Sequence, residues 1–109
     1  MEKPTKKSDK ELWNLIEQQI RNGNYLFLPH AKKRQKDRSI NDYEVLEILI
    51  NKVNRKRQRN KRKDIFIKGF QDWNYCIEGL DVDENKIRII ISFEKEVTLL
   101  IITVIRLEQ

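Results

Sequence analysis

Apolar residues along the chain change their period once, near residue 64: before it they recur every three or four positions, and after it they alternate. The first pattern belongs to helices with one buried stripe, the second to half-buried strands. Ser8 with Glu11 three residues on spells a capping box. Leu12, Trp13, Ile16 and Ile20, with Leu15 beside them, follow at helical spacing, and Gly23 supplies a stop. A first helix is expected from about Asp9 to Arg21, with residues 1–7 frayed ahead of it. Tyr25 to Leu28 is a short apolar run closed by Pro29, either an extended lead-in or a short edge strand. His30 to Asp37 reads as a short, very polar helix, with His30, Arg34 and Arg38 spaced to share one face. Asn41 and Glu44 form a second capping box, and Ile40 can staple onto Val45. Val45, Leu46, Leu49, Ile50 and Val53 give this third helix a wide apolar face, ending near Lys52.

Beyond residue 64 the alternation predicts strands. Ile65 to Ile67 opens this half, and Gly69 with Gln71-Asp72 suggests a bend before Trp73 to Ile77. Gly79 to Asn85 carries turn residues. Ile87, Ile89, Ile91 and Phe93 mark one apolar face of the next strand. Glu94 to Glu96 is a tight charged connection, and Val97 to Leu107, apolar on both faces in its middle, reads as a central strand. Short turns imply antiparallel pairing. The expectation is a single α+β domain, with N-terminal helices packed on one face of an antiparallel sheet of about four strands.

Charge adds a location to this picture. Residues 30–64 hold thirteen Lys/Arg against five Asp/Glu, a local net of +8 in a chain of net +6. Within it, residues 54–64 (NRKRQRNKRKD) contain seven cations and nothing apolar. That run predicts an exposed loop or hairpin turn. Its cations Arg55, Lys56, Arg57, Arg59, Lys61, Arg62 and Lys63 suit phosphate backbones, giving affinity with little sequence preference. The same run is open to two other readings, a solvated loop or the dock for an acidic protein segment. The lone Cys76 forms no intrachain disulfide and reads as a packed small hydrophobe. One His and one Cys at these spacings assemble no metal site. No apolar run is long enough for a membrane helix, and the charged N-terminus lacks the apolar core of a signal peptide, so a cytoplasmic protein is expected.

The stretch His30-Ala31-Lys32-Lys33-Arg34-Gln35-Lys36-Asp37-Arg38-Ser39-Ile40 resembles the H-A-x-x-R-x-x-x-R-x-I opening of a family of small bacterial domains grouped with the RelE, ParE, BrnT and MqsR toxins. The helix carrying Glu44-Val45 and the closing Ile101-Ile102-Thr103-Val104 fit the same pattern. The resemblance implies a RelE-like fold and a type II toxin–antitoxin setting. It also implies a cognate antitoxin as partner and cleavage of mRNA, on or off the ribosome. It requires no cofactor.

A metal-independent ribonuclease uses the RNA 2′-OH as nucleophile. It needs a proton acceptor, a donor for the leaving 5′-oxygen and cations around the phosphate. His30 alone titrates near neutrality unperturbed, and Arg34 and Arg38 on the same face suit a bidentate phosphate clamp. Arg88 and Arg106 would add charge from the strands, and Tyr75 would donate a proton or stack on a base. Each has a plainer alternative. His30 would only bond neighbouring backbone, Arg34 and Arg38 would pair with Asp37, Asp42 or Glu44, and Tyr75 would belong to the core. Two other functions compete on sequence grounds: a non-catalytic nucleic-acid-binding or accessory domain, and a ParE-like toxin that binds a protein target.

Overall fold

The computed structural model describes residues 3–59 and 63–107. Helix α1 covers Asp9–Arg21 as the periodicity predicts, and its capping box is made. Ser8 Oγ accepts from the Glu11 amide at 3.2 Å while the Glu11 carboxylate accepts from the Ser8 amide at 3.1 Å. Gly23 adopts a φ of +73°, a turn conformation that costs glycine little. Strand β1 (Tyr25–Phe27) leads through Leu28 into helix α2 (Pro29–Arg38). Helix α3 spans Asp42–Ile50 and carries the second capping box, Asn41 with Glu44. It stops two residues before the expected end. The Asn51 side-chain oxygen accepts from the Val53 and Asn54 amides and so competes with the helix for them. Val53, assigned by periodicity to the apolar face, is consequently 88% exposed.

Four further strands follow: β2 (Lys56–Arg57), β3 (Tyr75–Leu80), β4 (Lys86–Glu94) and β5 (Thr98–Arg106). The sheet order is β1-β5-β4-β3-β2. The pairs β3–β4 and β4–β5 are antiparallel, as their short turns require, and β2 pairs antiparallel with β3 across the longer connection 58–74. The alternative of an edge strand at Tyr25–Phe27 is realised, and β1 joins β5 in parallel, which makes the α+β sheet mixed. Ile65 to Ile67 contributes only an isolated bridge from Ile65 to Asn74. Gly79 lies inside β3 rather than in a turn. A Cβ there would stand 2.6 Å from Ile48 Cγ2, so the glycine lets α3 approach the strand.

The inner sheet face presents Ile77, Ile87, Ile89, Ile91, Leu99, Ile101 and Val104 to Leu12, Ile16, Val45, Ile48 and Leu49 of the helices. Two features of this packing position the site. In the β4–β5 ladder, Ile90 faces Thr103 and Ile91 faces Ile101, which leaves Ile102 as an extra residue. This bulge reverses the alternation, so Thr103 shares the outer face with Ile90 and not the inner face with Ile101. The second feature is the N-terminal segment, which is not frayed from Lys3 onward. Pro4 C=O accepts from Trp73 Nε1 at 2.7 Å, the Lys7 amide donates to Tyr75 Oη, and Lys7 Nζ meets Glu96 at 2.9 Å and Asp72 at 3.3 Å.

Candidate functional site

Helix α2 follows β1 after one residue and packs against β5, where its neighbour strand has ended. Ala31 and Gln35 face the core, and this turns His30, Arg34 and Arg38 outward as the i, i+4, i+8 spacing predicts. His30 Nδ1 lies 2.7 Å from Thr103 Oγ1. Arg34 Nε donates across one turn to His30 Nε2 at 3.4 Å. For a neutral ring these contacts select one tautomer. A nitrogen that accepts from a guanidinium carries the lone pair, so the ring proton sits on Nδ1 and donates to Thr103. Thr103 thus sets the orientation of the imidazole and leaves Nε2 as its basic edge.

Two of the carboxylates that competed for the arginines are engaged elsewhere, Glu44 in the capping box at Asn41. Asp42 accepts from Lys32 Nζ at 2.6 Å and from Gln35 Nε2 at 2.7 Å. Partial burial pushes the Asp42 carboxyl up, but these donors outweigh it and hold it below its usual range. Arg34 and Arg38 make no ion pair among the described residues, nor do Lys33 and Lys36, and all four are exposed. α2 therefore carries Lys33, Arg34, Lys36 and Arg38 with no ion pair among the described residues, alongside one carboxylate of its own, Asp37.

The remaining sequence candidates divide sharply. Tyr75 is fully buried. Its hydroxyl donates to Asp72 and accepts from the Lys7 amide. Burial pushes the phenol far above its usual range, and the neighbouring Asp72 charge adds to this against the Lys7 amide. Tyr75 can neither reach a substrate nor stack on a base, and its assignment to a catalytic site is corrected to a core role.

Arg55 and Arg57 are removed from an RNA-facing role for the same reason, each side chain being 6% exposed. Arg55 donates to Leu49 C=O and to Glu17 and lies 4.4 Å over the Trp13 ring, while Arg57 is clamped by Asp9 and Asp64. The stretch from residue 54 is thus no simple exposed loop. Lys56, Arg59 and Lys63 are exposed, Arg59 pairing with Asp9, whereas Lys61 and Arg62 lie outside the described residues. Arg88 is bound through Nε and Nη2 to Glu78 on the outer face, at 3.0 and 2.9 Å. Arg106, at the far end of β5, stands 3.8 Å from Asp81. Neither joins the His30 group. Cys76 is buried, as its alternation predicts.

Thr103 was not legible as a site residue. It stands inside the Ile-Ile-Thr-Val run, and alternation from Ile101 directs it inward; only the bulge at Ile102 turns it toward His30. Chemically, the arrangement offers one oriented imidazole, a guanidinium beside its basic nitrogen, and a second guanidinium one turn further along α2. No cluster of His, Cys, Asp and Glu among the described residues suits a metal, and no helix among them is long and apolar enough to cross a membrane.

A family model described as Domain of unknown function (DUF4258) matches residues 27–106. The match takes in the His30 face, Thr103 and β2 to β5, and it leaves α1 outside. No curated protein and no solved structure matches the chain.

Proposed function

The chain belongs to the DUF4258 family, and from that premise we propose that it is a cytoplasmic toxin of the RelE-like kind, a metal-independent endoribonuclease acting on mRNA and held in check by a cognate antitoxin. The observation that carries this reading is the His30 group, an exposed imidazole oriented by Thr103 with Arg34 at its other nitrogen. In the reaction His30 Nε2 takes the proton of the 2′-OH. The 2′-oxygen attacks the adjacent phosphorus, the bond from phosphorus to the 5′-oxygen breaks, and the imidazolium returns its proton to that oxygen. The products are a 2′,3′-cyclic phosphate and a 5′-hydroxyl. Arg34, released from Nε2 as the ring becomes protonated, is placed to hold the phosphate, and Arg38 the next one along the strand.

The test is inducible expression of the wild type beside His30→Ala and Arg34→Ala, together with cleavage of RNA by the purified proteins in the presence of a chelator. Growth arrest and cyclic-phosphate ends from the wild type are expected, with cleavage about 10²- to 10⁴-fold slower in His30→Ala. Intact RNA, with or without ribosomes, and equal growth effects from wild type and His30→Ala would overturn the reading. One observation favours a second reading. Both ring nitrogens of His30 are already engaged, which suits a fixed piece of a binding surface; the domain would then hold nucleic acid without cutting it, and expression would be harmless.

A further inference from the structure

A cavity of about 680 Å³ lies away from the His30 face. It opens between the N-terminal segment, the first turn of α1 and the stretch after β2. Every residue lining it is polar or charged. Lys7 and Arg57 belong to its buried wall, and their charges are met by Asp72 and Glu96 and by Asp9 and Asp64. Arg59 shares Asp9 with Arg57. Partial burial pushes the Asp9 carboxyl up, but the two guanidiniums prevail and hold it ionised below its usual range. Lys10 and Lys63 line the same cavity, are exposed, and make no ion pair among the described residues. Lys6 is steadied at the mouth with its Nζ 4.4 Å from the centre of the Trp73 ring. The two carboxylates are therefore used in fixing two guanidiniums, and three lysines remain uncompensated around one opening.

We propose that this cavity is a second phosphate seat, holding the backbone of single-stranded RNA through Lys6, Lys10 and Lys63, and without regard to base sequence. The inference rests on reading the His30 face as the site that meets RNA. A phosphate backbone fits this lining better than an acidic protein segment does. A segment that orders on binding needs apolar side chains as anchors to offset its lost entropy, and the lining offers no apolar residue to receive them, only the stems of polar and charged ones. Phosphates need only cations and the release of their counterions. The lining also contains no aromatic ring for a base to stack on, so it contributes affinity and no sequence reading. In the sheet order β2 and β5 stand three strand spacings apart, roughly 14 Å. The second seat would thus engage phosphates other than the one at His30.

The experiment measures binding rather than cleavage. The intact protein is titrated with a short single-stranded RNA carrying 2′-O-methyl groups, which remove the nucleophile, over a range of salt. Lys10→Gln/Lys63→Gln is compared with Arg34→Ala/Arg38→Ala. The expected result for the lysine pair is binding about tenfold weaker, with a salt slope about 1.4 units shallower, equally for all base sequences. The α2 pair should lose affinity independently. An unchanged slope and affinity for the lysine pair would overturn the second seat while leaving the His30 reading standing. Loss confined to the lysine pair would keep the second seat and remove the His30 face from RNA contact. Polyglutamate that binds in a lysine-dependent way, with RNA indifferent to the lysines, would overturn the assignment in favour of an acidic protein partner. A circular-dichroism melt that matches wild type shows that each variant is folded.

Discussion

Helix α2 and the segment from Arg55 to Arg59 are built from the same residue types, and the fold uses them in opposite ways. In α2 the nearby Asp42 is taken by Lys32 and Gln35, and among the described residues Arg34 and Arg38 make no ion pair, Arg34 donating to His30. In the second segment each buried arginine meets a carboxylate supplied from elsewhere, Glu17 of α1 for Arg55 and Asp9 and Asp64 for Arg57. What separates a binding surface from a structural brace is therefore not the density of cations. It is whether a carboxylate distant in sequence arrives beside them. Phosphate recognition needs charge left over after folding, and between Arg55 and Arg59 only Lys56 is without an ion pair among the described residues.

The comparison breaks most visibly at Asp64. Its side chain is 5% exposed, pairs with Arg57 at 2.8 Å and accepts from the Cys76 amide at 3.1 Å. Asp64→Ala leaves a buried guanidinium with one fewer partner and removes the carboxylate that accepts from the Cys76 amide, and should cost about 3–5 kcal/mol in urea unfolding. A cost below about 1 kcal/mol would mean that the segment is a solvated surface like α2. Arg55→Ala should cost less, about 2 kcal/mol, because Glu17 retains Lys52 at 3.5 Å and reaches solvent once the guanidinium is gone.

The Arg55–Glu17 pair also makes a pH prediction. The hydrogen bond from Arg55 is the main reason that the Glu17 carboxyl is held below its usual 4.5. A carboxyl depressed by folding contributes stability that is complete above its unfolded pKa and lost as pH falls through the folded one. Wild type should therefore lose stability from about pH 4.5 downward, and Glu17→Gln should remove part of that loss. Identical acid profiles for the two proteins would detach Glu17 from the brace. The smallest effect belongs to the open side. Arg38→Ala should change stability by less than about 0.5 kcal/mol, and should make the salt dependence of RNA binding shallower by about 0.7.

Most of the architecture follows from local signals. Both capping boxes, the bounds of α1, the strand identity of β4 and β5 and the outward face of α2 depend on residues within one or two turns of each other. What escaped the sequence depends on distant partners. Arg57 reads as a surface cation, and Tyr75 is open to both a site and a core role, until Asp9, Asp64, Asp72 and Lys7 converge on them. Lys7 itself sits in a stretch whose composition predicts fraying, yet Glu96 and Asp72 hold it. The parallel pairing of β1 joins the two ends of the fold, and no neighbour rule encodes it. Gly79 carries a turn-former's identity but serves close packing against Ile48.

The extra residue at Ile102 bears on how relatives of this chain should be aligned. Substitution there alters one side chain, whereas deletion would restore strict alternation and carry Thr103 from His30 into the oily layer. A gap of a single column in β5 therefore separates chains that keep the histidine's partner from chains that have lost it, even where both residues are still spelled out in the text of the sequence.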